Sequence, residues 1–222
     1  MNTNFKYLQK FFFLLVMGFS LCAVQACSDD DDDDSSKVLE NGNVLVSGHE
    51  AVDLSLSVKW ATCNVGSYTP EGYGEYYAWG ELEPKGYYDL QTYLYYNVDL
   101  PDFSGDPQYD VASAKWGADW RMPTRAEYDE LLEYCTLEQV TLNNVSGYKV
   151  TGQNGNHIFL PGAGNICGTN TTFEGDGYYL TSTPELEEWD GYYMCSMHLS
   201  GTLFRILYYE KSYGSSVRPV TE

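Results

Sequence analysis

Apolar and polar positions alternate along this chain with two periods, and the helical period predicts two helices in its middle. Apolar residues recur at the spacing i, i+3, i+4 and i+7 at Tyr128, Leu131, Leu132 and Cys135. Just before them, Thr124 and Glu127 have the spacing of a capping box, in which each side chain satisfies a free backbone N–H of the other residue. Asp110 can cap a shorter helix that runs to Trp116.

The strand period dominates the rest of the chain. β-forming residues predict strands at residues 44–46, 58–63 and 215–220. Asn154-Gly155 and Ser200-Gly201 each separate two further runs and predict hairpins, the first with a type I′ turn because both of its residues tolerate positive φ. Strands around one or two short helices, without βαβ alternation, predict an α+β fold of mostly antiparallel strands.

The N-terminus has the pattern of a lipoprotein leader. Lys6 and Lys10 precede an apolar stretch at residues 11–24, and Ala26 stands directly before Cys27. We expect residues 1–26 to be a signal peptide and Cys27 to carry the lipid that attaches the protein to a membrane. An ordinary signal peptide cut after Ala26, or a short membrane anchor, is the alternative.

Ser28 and six aspartates, Asp29 to Asp34, follow Cys27 at once. This start resembles the export signal that takes lipoproteins of Bacteroidota to the cell surface, so we expect an outer-membrane, surface-exposed location. A run of like charges repels itself and stays extended. Residues 27–42 are therefore predicted to be an acidic flexible tether, and residues 43–222 a single domain.

Charge excludes one class of partner. The formal net charge is −20, and removal of the leader, which holds two lysines and no acid, takes it to −22. Without the six tether aspartates it is still −16. Phosphate backbones are bound through lysine and arginine, so nucleic acid is not an expected partner, and the membrane is expected to be contacted only through the lipid anchor.

Four cysteines remain beyond the leader and the lipidation site: Cys63, Cys135, Cys167 and Cys195. An exported protein can form disulfides, but free buried thiols are equally compatible with the sequence. Cys-x-x-Cys spacing is absent from the sequence, so neither zinc nor thioredoxin-like chemistry is indicated.

Trp120-Arg121-Met122-Pro123-Thr124-Arg125-Ala126-Glu127-Tyr128 resembles the Trp-Arg-hydrophobic-Pro-Thr-x-x-Glu-aromatic motif of the Fibrobacter succinogenes major paralogous domain family. Further stretches fit the same family in order, at residues 52–54, 59–66, 77–81, 159–161, 182–184 and 216–220. The resemblance implies a C-type-lectin-like fold. It also implies architectural roles for Trp120, Arg121, Pro123, Thr124, Glu127 and Arg218.

The sequence carries no recognisable catalytic motif, and an enzyme is not expected. Calcium is the one metal with a partial ligand set, because Glu83-Pro84-Lys85 and Glu188-Trp189-Asp190 match the calcium loops of C-type lectins incompletely. Our main expectation is therefore that the protein has no cofactor and no metal ion.

Tyrosines are concentrated in the long connection at residues 81–109, and a connection of this length is usually functional or disordered. The expected ligand-binding residues are Tyr87, Tyr88, Tyr95, Tyr96, Trp189, Asp190 and Tyr192. The leading hypothesis is a non-enzymatic surface lipoprotein that binds extracellular glycan or a host ligand through these aromatic loops. The alternative is an interaction module of a surface protein assembly.

Overall fold

The computed structural model describes residues 36–185 and 191–222, and these form mostly antiparallel sheets with two short helices. The α+β class is therefore as the sequence predicts. Cys27 and the loop residues Trp189 and Asp190 lie outside the described residues. No helix in the described ranges is long and apolar enough to span a bilayer.

A five-stranded antiparallel sheet joins the first described strands to the last one. Its order is β1 (Ser36–Val38), β2 (Val44–Val46), β3 (His49–Val52), β4 (Lys59–Ala61) and β13 (Val220–Thr221). Ser36 pairs with Val46 and Val38 with Val44. The prediction that the tether reaches residue 42 is therefore wrong, because main-chain pairing already holds residues 36–38 in this sheet.

Both predicted helices are confirmed. They are α1 (Val111–Trp116) and α2 (Arg125–Tyr134). Asp110 caps α1 by accepting hydrogen bonds from the backbone of Ala112 and Ser113. Thr124 and Glu127 form the capping box of α2. Tyr128 of α2 is fully buried, as its place on the predicted apolar face requires.

Three smaller sheets complete the fold, and all their strand pairs are antiparallel. They are β5 (Thr136–Leu142) with β6 (Val145–Thr151) and β7 (His157–Pro161); β8 (Asn165–Cys167) with β9 (Asn170–Thr172); and β10 (Gly177–Pro184) with β11 (Tyr193–Ser200) and β12 (Leu203–Glu210).

Turn chemistry differs from the prediction at the first hairpin. The β6–β7 hairpin exists, but only Gly155 of its turn dipeptide has positive φ, so the turn is not type I′. Positive φ at both turn positions occurs instead at Asn143 and Asn144, between β5 and β6, in a hairpin that was not predicted. The second predicted hairpin is confirmed as β11–β12.

The predicted strand at residues 215–220 is mostly wrong. Only Val220 and Thr221 form a strand, and Ser215 and Ser216 make single bridges to two different segments, at Tyr77 and Tyr179. Proline has no N–H to donate, so Pro219 cannot extend a ladder. This last segment therefore passes through the core as a connector between sheets.

Large aromatic side chains fill the interior. Trp60, Trp79 and Trp120 are fully buried, and one main cluster packs α2 against β6, β7 and β11. A second cluster gathers residues around Trp79, including Phe103 from the long connection. Burial of rings of this size supplies a large part of the hydrophobic stabilisation of such a domain.

The long connection at residues 81–109 contains no helix or strand, yet side-chain hydrogen bonds fix it to the core. The hydroxyl of Tyr93 donates to the Trp79 carbonyl at 2.9 Å, and the backbone N–H of Leu94 donates to the Glu81 carboxylate at 2.9 Å. Glu81 also pairs with Lys85. These contacts give the connection a defined path over the second core cluster.

All four cysteines of the domain are free thiols: Cys63, Cys135, Cys167 and Cys195. The structure thus agrees with the free-thiol alternative. Burial raises the pKa of Cys135 to about 11 and also raises the pKa of Cys195. Both thiols are therefore protonated and unreactive at neutral pH.

Candidate functional site

The residues of the tryptophan–arginine motif organise the start of α2. Arg121 makes a two-pronged ion pair with the Glu127 carboxylate, with N–O distances of 2.9 and 2.6 Å. These carboxylate hydrogen bonds raise the pKa of Arg121. The Trp120 indole donates to the Val46 carbonyl at 3.0 Å, and the Pro123 carbonyl accepts from Ser182 at 2.9 Å. The motif therefore ties the helix to two sheets.

Arg218 is a fully buried cation that pairs with no carboxylate among the described residues. Its guanidinium donates to the carbonyls of Ala61, Thr62 and Phe159 and to the side-chain oxygen of Asn64. Burial lowers its pKa. Four oxygen acceptors compensate for the loss of water, as a buried charge requires.

The predicted ligand face is brought together only in part. Tyr96 and Tyr192 lie side by side, with ring centroids 5.6 Å apart and their hydroxyls 3.2 Å apart. Tyr87 is half exposed, but its ring lies against Gly168 in the turn between β8 and β9. Tyr95 is partly buried between Tyr93 and Tyr109, and it packs edge-on to both.

Tyr88 is wrong as a ligand-binding residue, because only 1% of its surface is exposed. Its hydroxyl donates to the Tyr76 carbonyl and accepts the backbone N–H of Lys85 at 3.1 Å. Burial raises its pKa. Tyr88 is a core residue that fixes the long connection.

Around the Tyr96–Tyr192 pair the long connection exposes apolar side chains. Leu94 is 72% exposed, and Leu90 and Val98 are partly exposed in the same segment. This surface, which we call the Leu94 patch, is formed by Leu90, Leu94, Tyr96 and Val98. None of its residues lines the concave sites described below.

A concave site lies elsewhere, around Tyr68. Three adjoining depressions, with volumes of about 220, 320 and 300 Å³, all have Tyr68 in their walls. Tyr68 is 96% exposed. We call this surface the Tyr68 groove, and its main lining residues are Asn43, His49, Glu50, Thr62, Cys63, Ser67 and Trp116.

The loop that carries Tyr68 is held at both ends. The backbone N–H of Glu75 donates to the Val65 carbonyl at 3.0 Å and closes the loop. The Ser67 hydroxyl donates to the Thr69 carbonyl at 2.9 Å, across Tyr68 itself. Tyr68 therefore projects from a closed turn, and its side chain is almost fully exposed to solvent.

One wall of the groove is a stacked pair of rings. His49 of β3 lies parallel to Trp116 of α1, with ring centroids 3.7 Å apart and an angle of 6° between the planes. Partial burial lowers the pKa of His49, so this ring is neutral at pH 7. The wall is thus flat, aromatic and uncharged.

Glu50 supplies an oriented carboxylate in the lining of the groove. Its Oε1 atom accepts hydrogen bonds from the side-chain amides of Asn41 and Asn43, at 2.6 and 2.5 Å. No described donor binds its Oε2 atom. Two amides therefore fix the carboxylate, while one of its oxygens is left to accept a hydrogen bond from another molecule.

The groove combines an exposed tyrosine, a flat aromatic wall and one carboxylate. Glycoside hydrolysis ordinarily uses two carboxyl groups across the scissile bond, and Glu50 is the only acid among the residues that line the three depressions. Within the described residues no three His, Cys, Asp or Glu side chains converge to hold a metal ion. Glu83 of the partial calcium loop pairs with Lys115 at 3.0 Å.

The sequence predicted none of the groove. Tyr68 lies in a Ser-Tyr-Thr-Pro turn, which indicates a loop but not the exposure of its ring. His49 and Trp116 are far apart in the sequence, and only the packing of α1 against the first sheet brings them together. Comparisons of the chain with family models, with curated proteins and with solved structures found no match. The family resemblance and the lectin-like fold therefore stay predictions.

Proposed function

We propose that this protein is a non-enzymatic lipoprotein, attached to the outer membrane through Cys27 and exposed at the cell surface, that binds extracellular glycan in the Tyr68 groove. The observation that carries the proposal is the 96% exposure of Tyr68 at the junction of three depressions. Small-molecule sites are typically concave, with apolar walls and a few placed polar groups.

The chemistry of the groove fits a sugar. One face of a pyranose carries mainly C–H groups, which pack on an aromatic ring, and its rim carries hydroxyls that need hydrogen-bond partners. Tyr68 offers the ring, and Glu50, Asn43 and Ser67 supply polar groups along the lining. The domain charge of −16 keeps such a protein off anionic surfaces.

A glycan array probed with the complete purified chain tests this function. We expect retention on a subset of glycans, loss of that retention in Tyr68→Ala, and no change in Tyr87→Ala. Tyr87 is a matched control, because it is a half-exposed tyrosine whose ring lies against Gly168, away from the groove. Absence of binding to every glycan would reject the proposal.

The Leu94 patch favours a second candidate function, a protein-interaction module of a surface assembly. Exposed leucine, valine and tyrosine side chains in one segment are typical of protein contacts rather than of sugar sites. Leu94→Asp would abolish a protein contact made there and leave glycan binding unchanged. Pull-down from envelope extracts with the parent chain and with Leu94→Asp separates the two functions.

A further inference from the structure

The charged residues that line the Tyr68 groove indicate which ligands it can accept. Glu50 is the only acid in its lining, and His49 is neutral at pH 7 because burial lowers its pKa. Lys115, the only lysine or arginine there, is already paired with Glu83 at 3.0 Å. His157 also lines a depression that contains Glu50, so among the described lining residues Glu50 is the one carboxylate and no lysine or arginine is left to pair with it.

The position of that charge is fixed before any ligand arrives. Asn41 and Asn43 both donate to Oε1 of Glu50, so the carboxylate cannot rotate without breaking two hydrogen bonds. Its Oε2 atom accepts from no described residue. Because the Glu50 carboxylate is already oriented, it loses little conformational entropy when a ligand binds. An ionised carboxylate can only accept hydrogen bonds, so it cannot donate one to an oxygen of the ligand.

We infer that Glu50 determines ligand class: the groove takes a saccharide that presents hydroxyl or amino hydrogens to Glu50, and it rejects acidic sugars. This inference rests on the proposed function, since it assigns the specificity of the same site. A hydroxyl or ammonium donor gains a charge-assisted hydrogen bond to Oε2. A uronate or sialic-acid carboxylate in that place would face the Glu50 carboxylate, and no described lysine or arginine of the groove lining is left to neutralise it.

Glu50→Gln is the sharpest variant, because it changes one atom. The glutamine oxygen can still accept from Asn41 and Asn43, so the local structure is kept, whereas the second oxygen becomes an NH₂ donor. Loss of a charge-assisted acceptor weakens binding by about tenfold or more. Glu138→Gln is the matched control, because Glu138 is an exposed glutamate on β5 outside the groove lining.

The experiment compares the complete chain with Glu50→Gln, Glu138→Gln and Tyr68→Ala on an array that holds neutral, amine-bearing and carboxylated versions of the same oligosaccharides. We expect the parent chain to bind neutral or amine-bearing members at least about tenfold more tightly than carboxylated ones. Glu50→Gln should lose most of that preference, while Glu138→Gln keeps it.

The outcomes separate the inference from the function. Equal binding of carboxylated and neutral members, or an unchanged preference in Glu50→Gln, overturns the role of Glu50 even when Tyr68→Ala abolishes binding. Binding that is absent in the parent chain, or that survives in Tyr68→Ala, overturns the proposed function itself. Circular dichroism of each variant checks that the fold is retained, so that lost binding is not lost structure.

Discussion

The guanidinium of Arg218 donates a hydrogen bond of 2.8 Å to the side-chain oxygen of Asn64, and both residues are fully buried. Asn64 donates in turn to the Tyr73 carbonyl at 2.9 Å. Tyr73 lies at the end of the closed loop that carries Tyr68. Hydrogen bonds thus link a buried cation in the last segment of the chain to the loop that carries Tyr68.

Arg218→Ala should destabilise the domain strongly. The change leaves two buried carbonyls, one partly buried carbonyl and the Asn64 side chain without their donor, so we expect a loss of at least about 3 kcal/mol in the free energy of unfolding. Urea unfolding followed by tryptophan fluorescence measures it. Arg125→Ala is the control, because Arg125 makes an exposed ion pair at 3.4 Å that is worth less than about 1 kcal/mol. Equal effects of the two changes would contradict the structural role of Arg218.

Gly214→Ala should destabilise the domain through Tyr88. A methyl group at Gly214 would lie 2.8 Å from a ring carbon of Tyr88, and the hydrogen bonds of the Tyr88 hydroxyl keep that ring from moving away. Overpacking of this kind costs about 2 kcal/mol. Thermal unfolding of both variants measures the effect. Gly86→Ala should leave stability almost unchanged, because the added methyl group would have no atom within 4 Å. A neutral Gly214→Ala would show that Tyr88 is not held in place.

His198 should make the domain less stable in mild acid. Its ring is buried, neither ring nitrogen has a close hydrogen-bond partner among the described residues, and the Asp176 carboxylate lies 3.6 Å from Nε2. Burial lowers the pKa of His198 below its ordinary value, although Asp176 opposes the shift. As the pH falls through about 6.5, the unfolded chain therefore takes up a proton that the folded chain resists, and stability is lost.

This loss is at most about 1.4 kcal/mol per pH unit. NMR titration of the His198 ring should give a pKa below 6.5. The fall in unfolding free energy between about pH 7.5 and about pH 5.5 should be smaller in His198→Phe, which keeps a ring and cannot titrate. If the His198 ring titrates at or above its ordinary pKa, burial does not outweigh the opposing effect of Asp176 on that pKa.

Cys27→Ala should release the protein from the membrane. Lipidation requires the thiol of Cys27, so metabolic labelling with a radioactive fatty acid should mark the parent chain and not this variant. Cys22→Ala is the control, because Cys22 lies within the predicted signal peptide and is removed with it. Lipid label or membrane attachment that persists in Cys27→Ala would disprove the anchor.

Features encoded in a few adjacent residues could be predicted from the sequence. Thr124 and Glu127 set the start of α2 through hydrogen bonds within one turn, and Asp110 did the same for α1. Local geometry decides such features, so distant parts of the chain do not change them.

Exposure of aromatic rings could not be predicted in the same way. Tyr87 and Tyr88 are neighbours in sequence, yet one is half exposed and the other is buried against Gly214. Tyr68 has no sequence feature that separates it from the core tyrosines. Whether a ring is covered depends on residues far along the chain, and the groove exists only once α1 and the first sheet have packed together.

The most direct test of the central claim is calorimetric titration of the complete chain, and of its Tyr68→Ala variant, with the neutral oligosaccharide that an array identifies. We predict saturable binding by the parent chain and a loss of at least about tenfold in affinity in Tyr68→Ala, with Tyr87→Ala unchanged. Equal affinities of the parent chain and Tyr68→Ala would contradict the claim that the Tyr68 groove binds the sugar.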